Sequence, residues 1–250
     1  MSIQRTEAIV LNKHDFRETS LIVNFYTRDF GKFSGLLKGI RTDQQKFAST
    51  VELFSDNEII FYRNRSSSLY LVSQCDLKDN FTPIRQEMIK VGMASMIIEL
   101  LDSVMSEEDI NVEIFDLTLT ALKELELTRF PDKVLTIFKI KLLSLSGFKP
   151  HLDSCLSCDS RILGESKFSL SKGGLLCPRC YKKDIRARAI FRGTIASILH
   201  IEKNTFKSNL NLGMNLEIKK ELELVLNAFL SFHLEKELKS QRVLHKLAAA

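Results

Sequence analysis

The sequence predicts an α+β protein in which a small, closed or sandwiched β-domain of five strands is followed by an all-helical domain carrying a four-cysteine zinc site. Three observations predict this arrangement. Apolar residues alternate with period two through about the first eighty residues, the period becomes helical after Pro83, and two Cys-x-x-Cys pairs lie between later helices. We therefore expect one domain over residues 1–80 and another over residues 81–250, with a zinc-binding insertion at about 151–182.

Five segments in the first part of the chain have the pattern of β-strands. They span residues 6–12, 19–27, 32–38, 53–63 and 68–75. In the second segment Leu21, Val23 and Phe25 fall on one face, as the period of a strand requires. Five strands in a segment of this size fit an OB-fold barrel, and an SH3-like barrel fits the same spacing nearly as well.

Helical periodicity after Pro83 predicts five helices, at residues 84–105, 111–127, 133–145, 189–201 and 216–238. The first is apolar almost all round, so we expect it to be central. Asn111 is a typical N-cap of the second, and Gly147 followed by Pro150 ends the third. The apolar stripe of the last helix indicates core packing and not a cofactor site.

Four cysteines form two hooks, Cys155-Leu-Ser-Cys158 and Cys177-Pro-Arg-Cys180, with eighteen residues between them. Two residues between thiolates allow one short turn to present both sulfurs to a single metal ion. The alternatives are two disulfides or four unrelated thiols. We predict a structural Zn²⁺ site, because four thiolates leave no coordination position open for water. Cys75 is isolated and is expected to be a buried core thiol.

The sequence contains no motif typical of a catalytic or nucleotide-binding site. It has no Gly-x-x-x-x-Gly-Lys-Ser/Thr phosphate loop, no Gly-x-Gly-x-x-Gly turn and no Gly-x-Ser-x-Gly elbow. A run of eighteen apolar residues and a signal-peptide pattern are also absent from the sequence. We therefore expect a cytosolic protein that is not an enzyme and does not engage a membrane.

Basic residues are concentrated in the last part of the chain. Residues 1–80 carry eleven Lys and Arg against ten Asp and Glu, residues 81–147 carry seven against eleven, and residues 148–250 carry eighteen against ten. The net charge of +5 is therefore unevenly distributed. Such asymmetry suggests an acidic or polyanionic partner, although solvated surface charge produces the same composition.

Two groups of basic residues are candidate contacts for nucleic acid. The first, in or beside the turns of the β-domain, comprises Arg17, Arg28, Lys32, Lys38, Arg41 and Lys46. Phe16, Phe30, Phe33 and Phe47 are interleaved with these cations, and OB folds hold single strands with cations and stacking aromatics. The alternative is that the phenylalanines belong to the core and the cations are solvated. The second group, after the last cysteine, comprises Lys182, Lys183, Arg186, Arg188 and Arg192, which would contact phosphates or an acidic peptide.

Several motifs follow one another in an order and spacing that are specific together. The chain contains Thr6-Glu-Ala-Ile-Val-Leu11, Arg17-Glu-Thr-Ser20 and Leu37-Lys38-Gly39-Ile40-Arg41, then Gly147-Phe-Lys-Pro150 before the first hook and Gly173-Gly174 before the second, and finally Leu238-Lys239-Ser240-Gln-Arg242-Val-Leu244. Together they resemble the bacterial recombination mediator RecO family, in its zinc-bearing branch.

The resemblance implies an OB-fold N-terminal domain, a helical C-terminal domain with a zinc site, and a role in recombinational DNA repair through the RecF pathway. It implies binding of single- and double-stranded DNA, annealing of complementary strands, and loading of RecA with RecR onto DNA coated by single-stranded-DNA-binding protein. The acidic C-terminal tail of that protein would dock on the helical domain, and Lys38 and Arg41 match motif positions associated with DNA contact. The expected location is the bacterial cytoplasm, at the nucleoid. The alternative function is a zinc-stabilised interaction adaptor without direct DNA contact.

Overall fold

Five strands in the N-terminal part of the chain close into a barrel. In the computed structural model, which describes residues 2–42, 47, 51–63, 69–234, 238–240, 242 and 244, they are β1 (Ser2–Phe16), β2 (Ser20–Thr27), β3 (Gly31–Leu37), β4 (Asp56–Arg63) and β5 (Leu69–Asp79). The strand order is β1-β2-β3-β5-β4, with β1 antiparallel to both β2 and β4 and with β3 parallel to β5. A five-stranded Greek-key barrel is the OB-fold, so the first of the two predicted barrel types is confirmed.

Aromatic side chains fill the barrel. The ring centroids of Phe33 and Phe61 lie 4.7 Å apart, and those of Phe33 and Tyr70 lie 5.1 Å apart. Burial alternates residue by residue along β3, as the period of two predicts. Phe33 and Phe47 are buried and Phe30 packs against the same cluster, so these three rings belong to the core and are not available to stack on nucleobases.

The β1–β2 hairpin extends beyond the rest of the barrel. Pairing between β1 and β4 ends at Ile9 and Asp56, whereas pairing between β1 and β2 continues to Phe16 and Ser20. We call residues 12–20 the hairpin tip. Four consecutive residues of β1 in this tip, 12–15, are exposed. The extension therefore presents the turn at Arg17 to solvent.

Seven α-helices follow in the described part of the chain: α1 (Thr82–Arg85), α2 (Met88–Val104), α3 (Val112–Leu127), α4 (Pro131–Leu145), α5 (Arg192–Lys203), α6 (Phe206–Leu210) and α7 (Leu216–Leu234). None of the described helices is both long and apolar enough to cross a membrane. The predicted N-cap is confirmed, because the Asn111 side chain accepts a hydrogen bond from the Ile114 amide at 3.0 Å.

Two helix predictions need correction. The helix predicted at 84–105 is interrupted between α1 and α2, because Glu87 adopts an extended conformation with φ −122° and ψ 111°. The helix predicted at 189–201 begins only at Arg192, because residues 188–189 form a strand instead. The short α6 was not predicted, since five residues are too few to show helical periodicity.

The C-terminal part is not all-helical, contrary to the prediction. A small sheet of β6 (Lys167–Ser169), β7 (Gly174–Leu176) and β8 (Arg188–Ala189) lies in the cysteine-bearing segment, in the order β7-β6-β8. Both pairings are antiparallel. Strands of two or three residues are too short to reveal a period of two, which is why the sequence did not indicate them.

The chain forms two compact units, residues 1–131 together with the segment from Leu238 onward, and Asp132–Glu237. In the first unit Leu238 is buried, and the backbone amides of Lys239 and Ser240 each donate to the Glu99 carboxylate of α2 at 2.8 Å. That carboxylate therefore ties the returning segment to α2. The domain boundary predicted between residues 80 and 81 falls just after β5, away from the limits of these units, and it stays a prediction.

One carboxyl group in the barrel is buried unfavourably. Asp56, the first residue of β4, is 3% exposed, and its Oδ1 atom has no hydrogen-bond partner among the described residues. Burial raises the pKa of Asp56 to about 7, and the nearby Glu7 carboxylate acts in the same direction, while Lys78 opposes it. The folded protein therefore favours the protonated form of Asp56 at a pH where the unfolded chain is ionised.

We expect the stability of this unit to decrease as pH rises from about 4 to about 7 and then to level off, because the raised pKa of Asp56 makes folding take up a proton in that interval. The replacement Asp56→Asn should remove this pH dependence and stabilise the protein at pH 8 by roughly 2 kcal/mol. This value is smaller than the free energy that corresponds to the whole pKa shift of Asp56, because Lys78 and solvent screen the site. Denaturant midpoints between pH 4.5 and 8 measure the effect. The control Asp76→Asn, at a less buried β5 carboxylate, should keep the wild-type pH profile, and an unchanged profile in Asp56→Asn would contradict the assignment.

Candidate metal centre and nucleic-acid interface

The four hook cysteines meet at one point, as predicted. Their Sγ atoms all lie within 4.8 Å of one another, and those of Cys158 and Cys177 are 3.7 Å apart. Sulfurs around a tetrahedral Zn²⁺ ion are separated by roughly 3.8 Å when each Zn–S bond is about 2.3 Å. None of the four hook cysteines forms a disulfide, so the disulfide alternative is wrong. The arrangement can hold a metal ion and is compatible with zinc.

Local backbone hydrogen bonds shape both hooks. In the first, the Cys155 amide donates to the Ser160 carbonyl at 3.0 Å and the Asp159 amide donates to the Cys155 carbonyl at 2.8 Å. In the second, Cys177 directly follows β7, and the amide of Cys180 donates back to the Cys177 carbonyl at 2.8 Å within a 3-10 helix, Pro178–Lys183. Each hook is therefore a tight turn that directs two sulfurs the same way.

A close backbone approach joins the two hooks. The Leu156 amide donates to the Leu175 carbonyl at 2.9 Å. The His151 amide donates to the Gly173 carbonyl at 2.8 Å, and the His151 carbonyl accepts from the Leu175 amide at 3.0 Å. A Cβ atom on Gly174 would lie 2.4 Å from the His151 carbonyl oxygen. Only glycine fits there, because a real Cβ does not approach backbone so closely. The Gly173-Gly174 pair thus permits the contact that brings the four sulfurs together.

The thiols of Cys158 and Cys180 differ in pKa. Hydrogen bonds from the Ser160 side chain and amide lower the pKa of Cys158 to about 6, whereas burial and contacts with the other three thiols raise the pKa of Cys180 to about 12. The Cys177 amide, in addition, points at the Cys155 sulfur, at 3.4 Å. A divalent cation would stabilise all four groups as thiolates, and amide donors to the sulfurs are the usual outer support of such sites. The residues present therefore fit zinc, and a full set of four thiolates fits a structural ion.

Three of the predicted nucleic-acid contacts lie together at one end of the barrel. Arg17 occupies the turn of the hairpin tip, with φ 55°, a left-handed conformation that is unfavourable for arginine. Lys38 directly follows β3, and the amide of Arg41 donates to the Thr19 carbonyl at 3.3 Å, which holds the loop after β3 beside the tip. All three side chains are exposed. We call Arg17, Lys38 and Arg41 the tip cations.

Two other predicted contacts lie at the opposite end of β2, roughly 25 Å away by the rise of an eight-residue strand. Arg28 forms a two-pronged ion pair with Asp116 of α3, at 2.6 and 3.1 Å. Lys32 is half-buried, and its ammonium group contacts the carbonyl and the carboxylate of Asp102 at 2.7 and 3.2 Å. The geometry does not bring these two to the tip cations. Lys46, the sixth predicted residue, lies outside the described residues.

The cations of the barrel are mostly neutralised within the chain. Among the described basic residues of the first eighty, seven pair with a carboxylate, namely Arg5, Lys13, Arg28, Lys32, Arg41, Arg63 and Lys78. Arg17 and Lys38 have no carboxylate partner among the residues that the structure describes. Arg41 pairs with Asp15, but both side chains are exposed, so a phosphate can compete for the guanidinium.

The second predicted group of basic residues is solvent-exposed throughout. Lys182 and Lys183 end the 3-10 helix, Arg188 lies on β8, and Arg192 opens α5. Arg186 is placed by a turn in which its amide donates to the Asp184 carboxylate at 2.9 Å. Two further exposed arginines of this segment, Arg161 and Arg179, were not singled out from the sequence, because they lie before and within the second hook where the cysteines dominate the pattern.

Comparison with known proteins gives a consistent result over the whole chain. The model of the family described as "Recombination protein O N terminal" matches residues 1–81, and that described as "Recombination protein O C terminal" matches residues 85–242. The protein named "DNA repair protein RecO" from Syntrophus aciditrophicus is 31% identical to the chain, and the alignment covers 97% of the chain and 95% of that relative. The same-named protein from Desulfatibacillum aliphaticivorans is 30% identical, with 97% of the chain and 96% of that relative covered. The same-named protein of Dehalococcoides mccartyi is 32% identical over 98% of the chain and 96% of its own length.

We expect the replacement Cys177→Ser to abolish stoichiometric zinc binding and to lower the melting temperature, because three thiolates and a hydroxyl hold the ion poorly. A decrease of about 4–8 °C corresponds to roughly 2 kcal/mol in a chain of this size. Elemental analysis and thermal unfolding measure both effects. The control Cys75→Ala removes a buried thiol of the barrel and should leave the zinc content unchanged. Full zinc content and full stability in Cys177→Ser would exclude a structural metal at this cluster.

We also expect Gly174→Ala to destabilise the cysteine-bearing segment by about 1–3 kcal/mol, because the added methyl group would displace the His151 backbone and separate the hooks. A chelator should then extract zinc faster than from the wild type. Gly164→Ala is a matched control, since a Cβ atom there meets nothing within 4 Å. Equal rates of zinc release from the two variants would show that the close approach at Gly174 does not support the site.

Proposed function

The chain belongs to the recombination protein O family, and from this premise we propose that it acts in DNA repair and homologous recombination as a mediator that binds DNA and promotes the pairing of complementary strands, without catalytic turnover. The observation that carries this proposal is the group of tip cations. They are exposed and lie at one end of an OB-fold barrel, the fold that commonly holds oligonucleotides.

The proposed mechanism is neutralisation of phosphate charge. Two complementary strands repel each other through their phosphates, and cations that contact both backbones lower this repulsion. Arg17 and Lys38 are suited to this, because no carboxylate of the described chain competes for them, and Arg41 exchanges an exposed carboxylate for a phosphate at little cost. A multiply charged contact of this kind weakens steeply with salt, because each neutralised phosphate releases condensed counterion.

The outer surface of β2 and β3 supports contact with single strands. Ile22 pairs with Leu36 across these strands, and Leu36 pairs in turn with Leu71 of β5. These side chains point outward and are partly or fully exposed, with Leu71 at 37%. An outward apolar row offers a surface for unpaired bases, and the neighbouring tip cations would hold the backbone. The core rings Phe33 and Phe47 take no part in this.

The zinc site has a supporting role in this proposal, in that it fixes the segment of residues 151–182 within the second part of the chain. We propose DNA, both single- and double-stranded, as the direct ligand, and RecR and the acidic tail of single-stranded-DNA-binding protein as protein partners, with RecA served indirectly. We propose these partners and a bacterial cytoplasmic location at the nucleoid on the basis of the family resemblance. The proposed division into domains of residues 1–80 and 81–250 rests on the change of periodicity after Pro83.

A protein-interaction adaptor without DNA contact is the second candidate function. The ion-paired cations of the barrel favour it, and so do three exposed apolar side chains in the first unit. Met88, Leu127 and Phe130 are 70%, 81% and 71% exposed. Exposed apolar side chains mark a protein contact where they form one contiguous patch. The two functions differ in whether the tip cations matter for DNA binding.

We expect the triple replacement Arg17→Gln/Lys38→Gln/Arg41→Gln to slow the annealing of fluorescent complementary oligonucleotides at least roughly tenfold at 0.1 M salt. Affinity for single-stranded DNA should become less dependent on salt, with the slope of log K against log salt reduced by about 2, or about 0.7 for each lost contact. Glutamine is preferable to glutamate because a new carboxylate at position 41 would face Asp15.

The matched control is Lys203→Gln/Lys219→Gln/Lys220→Gln, which removes three exposed positive charges from α5 and α7. It should retain annealing and the salt dependence of the wild type. If the tip variant is folded and keeps both properties, the barrel end is not the DNA contact. Absence of DNA binding by the zinc-loaded wild type would favour the adaptor.

A further inference from the structure

The positive charge of the protein resides in the cysteine-bearing segment. Residues 151–192 contain nine Lys and Arg against four Asp and Glu, a net charge of +5, which equals the net charge of the whole chain. The remaining residues are therefore neutral as a group. Within this segment, residues 179–192 contain six basic residues and one acidic residue. A local excess of this size produces a strongly positive surface potential.

These cations form no ion pair with a described carboxylate, unlike most of those in the barrel. None of the nine basic residues of this segment has a carboxylate within 4.0 Å among the described residues. Asp184, the one acidic residue of the 179–192 stretch, accepts hydrogen bonds from the hydroxyls of Ser169 and Ser171 and from the Arg186 amide instead. These bonds, of which that from Ser169 is the strongest, lower the pKa of Asp184, so it stays ionised as an anchor of the turn.

Contacts with the four cysteines and with the small sheet position the backbone that carries the cations. The 3-10 helix contains Cys180 of the cysteine cluster and contacts β6 through Lys167, whose ammonium group lies 4.8 Å from the centre of the Tyr181 ring. Arg188 pairs with Phe168 across β8 and β6, and Phe168 is buried. The backbone that carries these basic groups is already ordered, so only the side chains lose conformational freedom when they bind an anion.

A cavity of about 240 Å³ opens beside the cluster. Its lining includes Arg161, Ile162 and Leu163 of the loop between the hooks, and Cys177, Pro178 and Arg179 of the second hook. Arg161 and Arg179 are both exposed and thus frame a recess next to the cationic surface. Guanidinium groups bind phosphate oxygens through two parallel hydrogen bonds, which makes paired arginines suitable for a phosphate.

We propose that this segment is a second phosphate-binding surface, which contacts the backbone of a nucleic acid strand independently of the barrel. The surface, termed here the zinc face, comprises Arg161, Arg179, Lys182, Lys183, Arg186, Arg188 and Arg192. This proposal extends the proposed function, since one chain would then hold nucleic acid at two places. A continuous polyanion suits the zinc face better than a short acidic peptide, because the cations are distributed over the 3-10 helix, β8, α5 and two loops, and all of them are exposed.

The test compares three folded, zinc-loaded full-length proteins: the wild type, the zinc-face variant Arg179→Gln/Lys182→Gln/Lys183→Gln/Arg186→Gln, and the control Lys203→Gln/Lys207→Gln/Lys219→Gln/Lys220→Gln. Both variants lose four positive charges from exposed positions of the same compact unit. Elemental analysis confirms equal zinc content. Affinity for a fluorescent oligodeoxynucleotide is then measured from about 0.05 to about 0.3 M salt, a range over which counterion release dominates.

We expect the slope of log K against log salt to fall by about 3 in the zinc-face variant, or about 0.7 for each of four contacts, with at least roughly tenfold weaker binding at 0.1 M salt. The control should match the wild type. Combining the zinc-face changes with those of the tip cations should reduce the slope further, because separate contacts add.

Equal slopes for the zinc-face variant and the control would overturn the proposal while leaving the barrel contact intact. Absence of any salt-dependent DNA binding by the wild type would overturn both. A synthetic peptide of consecutive glutamates provides the remaining comparison: if the zinc-face variant loses affinity for this peptide but retains the DNA slope of the wild type, the zinc face binds an acidic protein segment and not nucleic acid.

Discussion

The dual pairing of β1 determines both the closure and the exposed end of the barrel. This fifteen-residue strand pairs with β4 through its first half and with β2 through its second half. The two pairings overlap at Ala8 and Ile9, and a shift in register between Val10 and Asn12 follows directly within the pairing with β2, where such a shift bends the strand. The first pairing removes the free edges of the sheet, and the second carries the hairpin tip beyond β4. The position of Arg17 is thus a consequence of the strand that closes the fold.

The basic residues of the barrel and those of the cysteine-bearing segment differ in how many of them pair with a described carboxylate. In the barrel, carboxylates neutralise most described cations, and two of these pairs, Arg28–Asp116 and Lys32–Asp102, attach helices α3 and α2 to the strands. In the cysteine-bearing segment the cations have no carboxylate partner within the described part of the chain. An ion-paired cation must give up its partner before it contacts a phosphate, whereas an unpaired one sheds only water and counterion. Composition alone therefore says less about nucleic-acid binding than the distribution of partners does.

Local features were predictable from the sequence, and long-range pairings were not. The cysteine hooks, the Asn111 cap and the alternation of β3 all depend on residues within a few positions of one another. The parallel pairing of β3 with β5 joins Ser34 to Leu69, and nothing in either segment identifies its partner. The ion pair of Arg28 likewise bridges 88 positions, which is why a solvent-facing phosphate contact and an internal pair could not be distinguished beforehand. The small sheet escaped prediction because its strands have at most three residues.

An alternative role for the nearby cations is to stabilise the negative charge of the metal site. Four thiolates with one divalent ion carry a net charge of −2, which surrounding positive groups would stabilise. Three of the four cysteines are buried, however, and the Cys155 sulfur is contacted by the Cys177 amide at 3.4 Å and the Cys158 sulfur by the Ser160 hydroxyl at 3.0 Å, neither of which is a basic side chain. The basic residues of the zinc face are exposed, so water and salt screen their attraction to the cluster. Even if two of the five excess positive charges of residues 151–192 offset the cluster, the segment keeps a net positive charge. This net positive charge has no carboxylate partner among the described residues of the chain, and the phosphates of a polyanion supply such partners.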